Sequence, residues 1–150
     1  MSTMIVGVLM VAELNALGSA TSSGKSAGNR AIALGLADDL MAEILKAKYV
    51  DPGSSPTFGP ETGESGTSRA AFNDVDDYNG WSEQPPQAQD GTALTDRSDW
   101  RRRVTIDRVT VSDPTKTSTT ETGVKRICVD VDFKGTNLVE QTALRADTDQ

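Results

Sequence analysis

Hydrophobic residues are spaced in three different ways along the chain, beginning with an uncharged apolar run at Met4–Ala12. These nine residues would form a helix only about 14 Å long, whereas a bilayer core takes roughly 20 residues to cross. Glu13 and Asn15 follow, and they suit the interfacial end of a span, because a carboxylate in mid-bilayer costs several kcal/mol. A signal peptide and a buried core helix remain open, but we expect the remnant of a membrane anchor.

This membrane and assembly part is expected at 1–26. Its apolar residues are Met4, Ile5, Val6, Val8, Leu9, Met10, Val11, Leu14 and Leu17.

A helical period follows between Ala27 and Lys48, where apolar residues recur every fourth position and charged residues fall on the opposite side. Gly18–Gly28, between the two apolar parts, is rich in Ser, Thr and Gly, which are weak helix formers. The pattern therefore predicts a long N-terminal helix with a weak middle. The helix residues expected in the core are Ile32, Leu36, Leu40, Met41 and Ile44.

The next part, Asp51–Asp99, shows no regular period and contains five of the six prolines, ten acidic residues and two basic ones. It also holds Phe58, Phe72, Tyr78 and Trp81. Because disordered segments lack aromatic residues, we expect an ordered loop that is pinned to the domain by these rings.

Four oxygen-bearing side chains cluster in this loop: Asp74, Asp76, Asp77 and Asn79, followed by Gly80. Such side chains are the ligands that Ca²⁺ prefers, and they are our candidate calcium site. The spacing differs from an EF-hand, since the Asn-Gly pair comes one residue late and no glutamate stands at the twelfth position. A structural turn in which Asp and Asn cap backbone amides explains the same residues, so both interpretations stay open.

From Trp100 onward the period becomes strand-like. Strands are predicted at Arg101–Ser112, where a change of parity indicates a bulge, at Val124–Phe133, and at Leu138–Arg145. Arg101–Arg103 could bind phosphate or lipid headgroups, but we expect a strand start that pairs with the acidic loop. The strand residues expected in the core are Ile127, Val129, Val131 and Phe133. Three antiparallel strands against one helix predict a two-layer α+β domain at 27–150.

The composition excludes several functions. No histidine is present, which removes Ser-His-Asp and Cys-His catalysis and most zinc sites. Cys128 is the single cysteine, so we expect a bland, buried or half-buried thiol. The net charge of −7 argues against nucleic-acid binding. No phosphate loop, dinucleotide fingerprint or nucleophile elbow appears, and we expect no enzyme.

Three stretches, Ser2–Ala12, Ala31–Leu45 and Phe72–Trp81 with its Asp-Val-Asp-Asp-Tyr core, give the chain a resemblance to a family. It resembles type IV pilin-like proteins, in particular minor pseudopilins of type II secretion and mannose-sensitive haemagglutinin-type pilins. The resemblance implies an α+β, pilin-like fold, in which a long N-terminal helix packs on a small antiparallel sheet of three to four strands. A long acidic loop connects the two.

The resemblance also implies a function. Such a protein is a structural subunit of a type IV pilus-like or type II secretion pseudopilus filament. Its N-terminal helix is anchored in the inner membrane before assembly and then packs against other pilin-like subunits, with the globular domain in the periplasm or on the filament exterior. The family's basic leader and its glutamate at the fifth mature position are not found in this sequence, so we hypothesise that the true start lies upstream. The alternative function is a calcium-stabilised extracytoplasmic binding module that uses the acidic 74–80 loop.

Overall fold

The computed structural model describes residues 24–51, 57–64 and 66–148. The chain divides into two compact units, Met1–Ile32 and Ala33–Gln150. Of the first unit, residues 24–32 are described; they are helical, and their side chains are exposed or half-buried. The side-chain contacts and candidate sites reported below belong to the second unit.

A single α-helix, α1 at 24–44, is present in the described residues. The part of α1 within the second unit buries one apolar face, because small and large apolar residues recur there at helical spacing. The predicted core residues Leu36, Leu40, Met41 and Ile44 are confirmed, each 5% exposed or less. Ile32 is only half-buried, and it belongs to the first unit.

Five strands form one antiparallel sheet. The main strands are β2, β4 and β5, which lie side by side in that order, while the short β1 and β3 both pair with β2. Their bounds are β1 Ser82–Glu83, β2 Trp100–Thr110, β3 Asp113–Thr117, β4 Val124–Phe133 and β5 Thr136–Ala146.

Alternate residues of β4 form the inner face of the sheet, as period-2 patterning requires. The predicted core residues Ile127, Val129 and Val131 are confirmed as fully buried. Phe133 is half-buried instead, since it ends the strand next to an exposed turn, and its ring lies 4.7 Å from that of Trp100. The sequence missed Lys125, which continues the inner face and is 1% exposed.

The expected pilin-like fold class is wrong. The described residues form mostly a five-stranded antiparallel sheet with one helix of about 21 residues, and about 20% of them are helical, whereas a pilin fold needs a long helix packed on its sheet. The prediction also missed two strands. β1 has only two residues and lies in a proline-rich loop, and β3 contains Pro114, so neither shows an alternating pattern.

The described residues contain no helix that is long and apolar enough to cross a membrane. The apolar residues that we assigned to membrane and assembly, Met4 to Leu17, lie outside the described residues. Those assignments therefore stay predictions.

Candidate cation site in the acidic loop

Aromatic rings and main-chain hydrogen bonds hold the acidic loop on the domain. The ring of Phe72 packs edge-on against Tyr78, with centroids 5.0 Å apart, and against Trp81 at 5.5 Å. The Val75 amide donates to the Lys48 carbonyl at 2.9 Å, four residues after the end of α1. This fixes the segment that carries the candidate calcium ligands to the C-terminal end of the helix.

A buried network of ion pairs holds the next part of the loop. Glu83, on β1, receives hydrogen bonds from the guanidiniums of Arg69 and Arg102, the latter at 2.5 Å. Arg69 also donates to Glu43 of α1 at 2.8 Å, and Arg102 to the Gln87 carbonyl at 2.6 Å. These buried charges neutralise one another, so the network connects helix, loop and sheet without leaving an acid or base for chemistry.

The three arginines at the start of β2 have two different partners. Arg102 pairs with the acidic loop through Glu83, as expected. Arg101 and Arg103 instead pair with Asp132 of β4, at 2.7 and 3.2 Å. Although burial raises the pKa of Asp132, these two guanidiniums outweigh it and hold the pKa below its ordinary value. The geometry favours internal pairing over a phosphate patch.

The four predicted calcium ligands do not share one environment. Asp74 and Asp77 lie together, each 1% exposed. Asp76 points to the sheet, where its carboxylate pairs with the buried ammonium of Lys125. Asn79 uses its Oδ1 to accept a hydrogen bond from the Ile106 amide at 3.0 Å.

A third carboxylate, that of Glu61, joins Asp74 and Asp77. One oxygen from each lies within 4.8 Å of one from each of the others. The sequence did not indicate Glu61, because it comes from the separate segment 57–64 and has no patterned neighbours. Only the folded loop brings the three together.

Each of these three carboxylates has one oxygen held by donors. Asp74 Oδ1 accepts from the amides of Asp76 and Asp77 at 2.8 and 3.2 Å. Asp77 Oδ2 accepts from the amides of Asn73 and Asp74 at 2.8 and 3.1 Å. Glu61 Oε1 accepts from the Thr57 amide at 2.9 Å and from its hydroxyl at 3.0 Å. The capping turn that the sequence allowed is therefore present, and it fixes the orientation of each carboxylate.

The second oxygen of each carboxylate is buried and has no hydrogen-bond donor: Asp74 Oδ2, Asp77 Oδ1 and Glu61 Oε2. Burial, followed by the nearby charges of Asp76 and Asp77, raises the pKa of Asp74 to about 7. Burial likewise raises the pKa of Asp77, against the effect of its amide donors. Within the described ranges, no lysine or arginine forms an ion pair with Asp74, Asp77 or Glu61. The group is thus a cluster of acidic side chains without a cationic partner, and Glu64 adjoins it by accepting from the Glu61 amide at 3.0 Å.

A second group of potential ligands lies on the outer face of the sheet, where Cys128, Asp130 and Glu140 approach one another. These residues are half-buried or exposed. Burial raises the pKa of the Cys128 thiol, which keeps it protonated and unreactive, in keeping with the bland thiol that the sequence predicted.

A comparison of the chain with protein-family models, curated proteins and solved structures found no match. The resemblance to type IV pilin-like proteins therefore stays a prediction that rests on the quoted residues alone.

Proposed function

We propose that this chain is a structural, non-catalytic subunit of a type IV pilus-like or type II secretion pseudopilus filament, which associates with other subunits through the apolar residues before α1. One observation carries the proposal. All buried apolar side chains of the described residues fall between Ala33 and Val139. The described residues therefore supply an apolar core of their own. Met4–Leu17 adds a further apolar run to the chain, and a run of this kind can be covered by lipid or by another protein.

The buried charges also support a structural role. Arg69, Glu83, Arg102, Lys125 and Asp132 are each neutralised by an internal partner. Catalysis needs a base, nucleophile or acid that can reach a substrate, whereas these five groups are engaged in internal ion pairs. The finer location that follows from the proposal is the inner membrane before assembly, with the sheet domain in the periplasm or on the filament exterior.

The test compares the full chain with a Leu9→Asp variant by sedimentation in plain buffer and in mild detergent. The wild type should assemble in plain buffer and become monomeric in detergent. Leu9→Asp should be monomeric in both, because a carboxylate in the apolar run costs several kcal/mol when it is buried in lipid or between helices.

A matched control is Val111→Asp, which places the same charge on a side chain that is 67% exposed on the domain. This variant should assemble like the wild type. A wild-type chain that is monomeric without detergent, or a Leu9→Asp variant that assembles as well as the wild type, would contradict the proposal.

A further inference from the structure

Three carboxylates in the acidic loop share an unusual state of hydrogen bonding. In Glu61, Asp74 and Asp77, one oxygen is satisfied by main-chain or hydroxyl donors, and the other is buried without a donor. Capping explains the first oxygen of each pair but not the second. A buried acceptor without a partner costs about 1–3 kcal/mol, and more if it is charged. The three carboxylates approach one another to within 4.8 Å, and a cluster in which every member has a buried acceptor without a donor indicates a ligand that supplies positive charge.

A divalent cation fits this chemistry better than a proton or an organic ammonium group. A single proton satisfies one oxygen, but one ion between the three carboxylates contacts all three and offsets their mutual repulsion. The unpartnered atoms are all oxygens, which hard cations prefer. Asn73, next to Asp74, has a further unpartnered buried oxygen, Oδ1, of the amide type that Ca²⁺ also accepts.

Calcium is favoured over magnesium by the source of these ligands. Mg²⁺ usually keeps several waters and binds through one or two carboxylates, whereas Ca²⁺ accepts six to eight oxygens in flexible geometry. Three carboxylates, each with a buried oxygen that has no donor, exceed the one or two that Mg²⁺ usually takes and suit Ca²⁺. From this geometry we propose that Glu61, Asp74 and Asp77 bind one Ca²⁺ ion through their second carboxylate oxygens. This site differs from the one that the sequence predicted, since Glu61 replaces Asp76 and Asn79.

The ion would act as a cross-link within the loop. Glu61 lies in segment 57–64, whereas Asp74 lies two residues before the 3₁₀ turn at Asp76–Tyr78 and Asp77 lies within it. Asn73 and Val75 are hydrogen-bonded to the main chain of Lys48, four residues after the end of α1. Binding therefore ties segment 57–64 to the end of the helix, and this inference does not depend on the filament proposal.

The experiment titrates Ca²⁺ or Mg²⁺ alone into the chelator-treated full chain and follows both heat of binding and Tm. One calcium per chain should bind. Calcium at about a hundredfold above its Kd should raise Tm by roughly 5 °C or more, because an ion that binds only the folded state stabilises it.

Two variants test the ligands, Glu61→Gln and Asp77→Asn, and each keeps the size of the side chain and an oxygen that can accept the capping hydrogen bonds. Both should weaken calcium binding by roughly tenfold or more, since affinity depends on the number of charged ligands. The matched control is Asp90→Asn, which removes the same charge from a fully exposed site in the same loop and should bind calcium like the wild type.

Three results would overturn the proposal. The first is no heat and no Tm shift with the wild type. The second is unchanged calcium binding in both Glu61→Gln and Asp77→Asn, which would place the ion elsewhere. The third is a response to magnesium equal to that for calcium. Because Glu61 is half-buried in a loop and outside the core, Glu61→Gln should fold even if Asp77→Asn does not.

Discussion

Replacing Lys125 with methionine removes the buried ammonium that neutralises Asp76. Lys125 is 1% exposed on β4, and its Nζ also donates to the Tyr49 carbonyl. Methionine has a similar length, so the packing of β4 persists while Asp76, 2% exposed, loses its counter-charge. Breaking a buried ion pair from one side costs about 3–5 kcal/mol. For a domain of this size, that loss corresponds to a fall in Tm of roughly 10–20 °C.

The assay is urea unfolding of the full chain, with Lys125→Met, Asp76→Asn and the double variant measured side by side. Asp76→Asn should also destabilise the protein, because it leaves the ammonium alone in the core. The double variant should lose less than the sum of the two single losses, since neither charge remains unpaired. The difference, or coupling energy, should lie between about 0.5 and 3 kcal/mol.

Additive losses in the double variant would refute this reasoning, because they would show that the two charges do not depend on each other. A loss below about 1 kcal/mol for Lys125→Met would refute it as well. The control is Lys116→Met, in which the ammonium is 74% exposed and paired with Asp113. It should change the free energy of unfolding by less than about 0.5 kcal/mol.

Three further predictions concern packing, backbone conformation and pH. In urea unfolding, Leu40→Ala should cost about 2–5 kcal/mol because its side chain is fully buried, while Leu34→Ala, at a site 46% exposed, should cost far less. Gly91→Ala should destabilise the protein more than Gly123→Ala: both have positive φ, but only at Gly91 would a Cβ lie 2.9 Å from a neighbouring side-chain carbon. Because the pKa of Asp132 is lowered in the folded state, its carboxylate stabilises the protein above about pH 4, and this stabilisation is lost as the pH falls through the lowered pKa. In Asp132→Asn, the free energy of unfolding should therefore fall less steeply on acidification. An unchanged dependence on pH would contradict this.

Elements with a clear hydrophobic period could be predicted from the sequence. Val124–Phe133 was predicted as a strand with the bounds that the structure shows, because apolar residues occupy every second position. Leu36, Leu40, Met41 and Ile44 were assigned correctly for the same reason at helical spacing. In both cases the local periodicity agrees with the burial in the folded domain, so these elements and core residues can be assigned from the sequence alone.

The length of the helix and the number of strands could not be predicted from hydrophobic periodicity. The pilin-like prediction added the apolar run to the amphipathic segment and so expected a long helix, whereas the part of the chain that the structure describes contains one helix of about 21 residues and five strands. β3 pairs with β2 although it contains a proline, and a shift in register between Val109 and Thr110 accommodates the pairing. Pairing of this kind depends on which strand lies alongside, and a single segment does not encode it.

The burial of charged residues could not be predicted from hydrophobic periodicity either. Lys125 continues the inner face of β4 in perfect alternation with Ile127, yet a lysine in a strand pattern is normally assigned to solvent. Its burial depends on Asp76, which lies in a loop far away in the sequence. Arg102 is buried for the same reason, through Glu83. A charged side chain is tolerated in the core only when a partner of opposite charge is buried beside it. The burial of Lys125 and Arg102 can therefore be recognised only in the folded structure.

The acidic loop shows why the two sequence interpretations of its aspartates need not compete. A capping turn and a cation site were treated as alternatives, but a carboxylate has two oxygens and can do both. In Asp74 and Asp77 the capping amides hold one oxygen and leave the other buried without a donor, in a cluster that includes Glu61. Capping therefore prepares the geometry that a cation would use. For this reason Asp77→Asn, which keeps an acceptor for the cap and removes the charge, separates the two roles where alanine would destroy both.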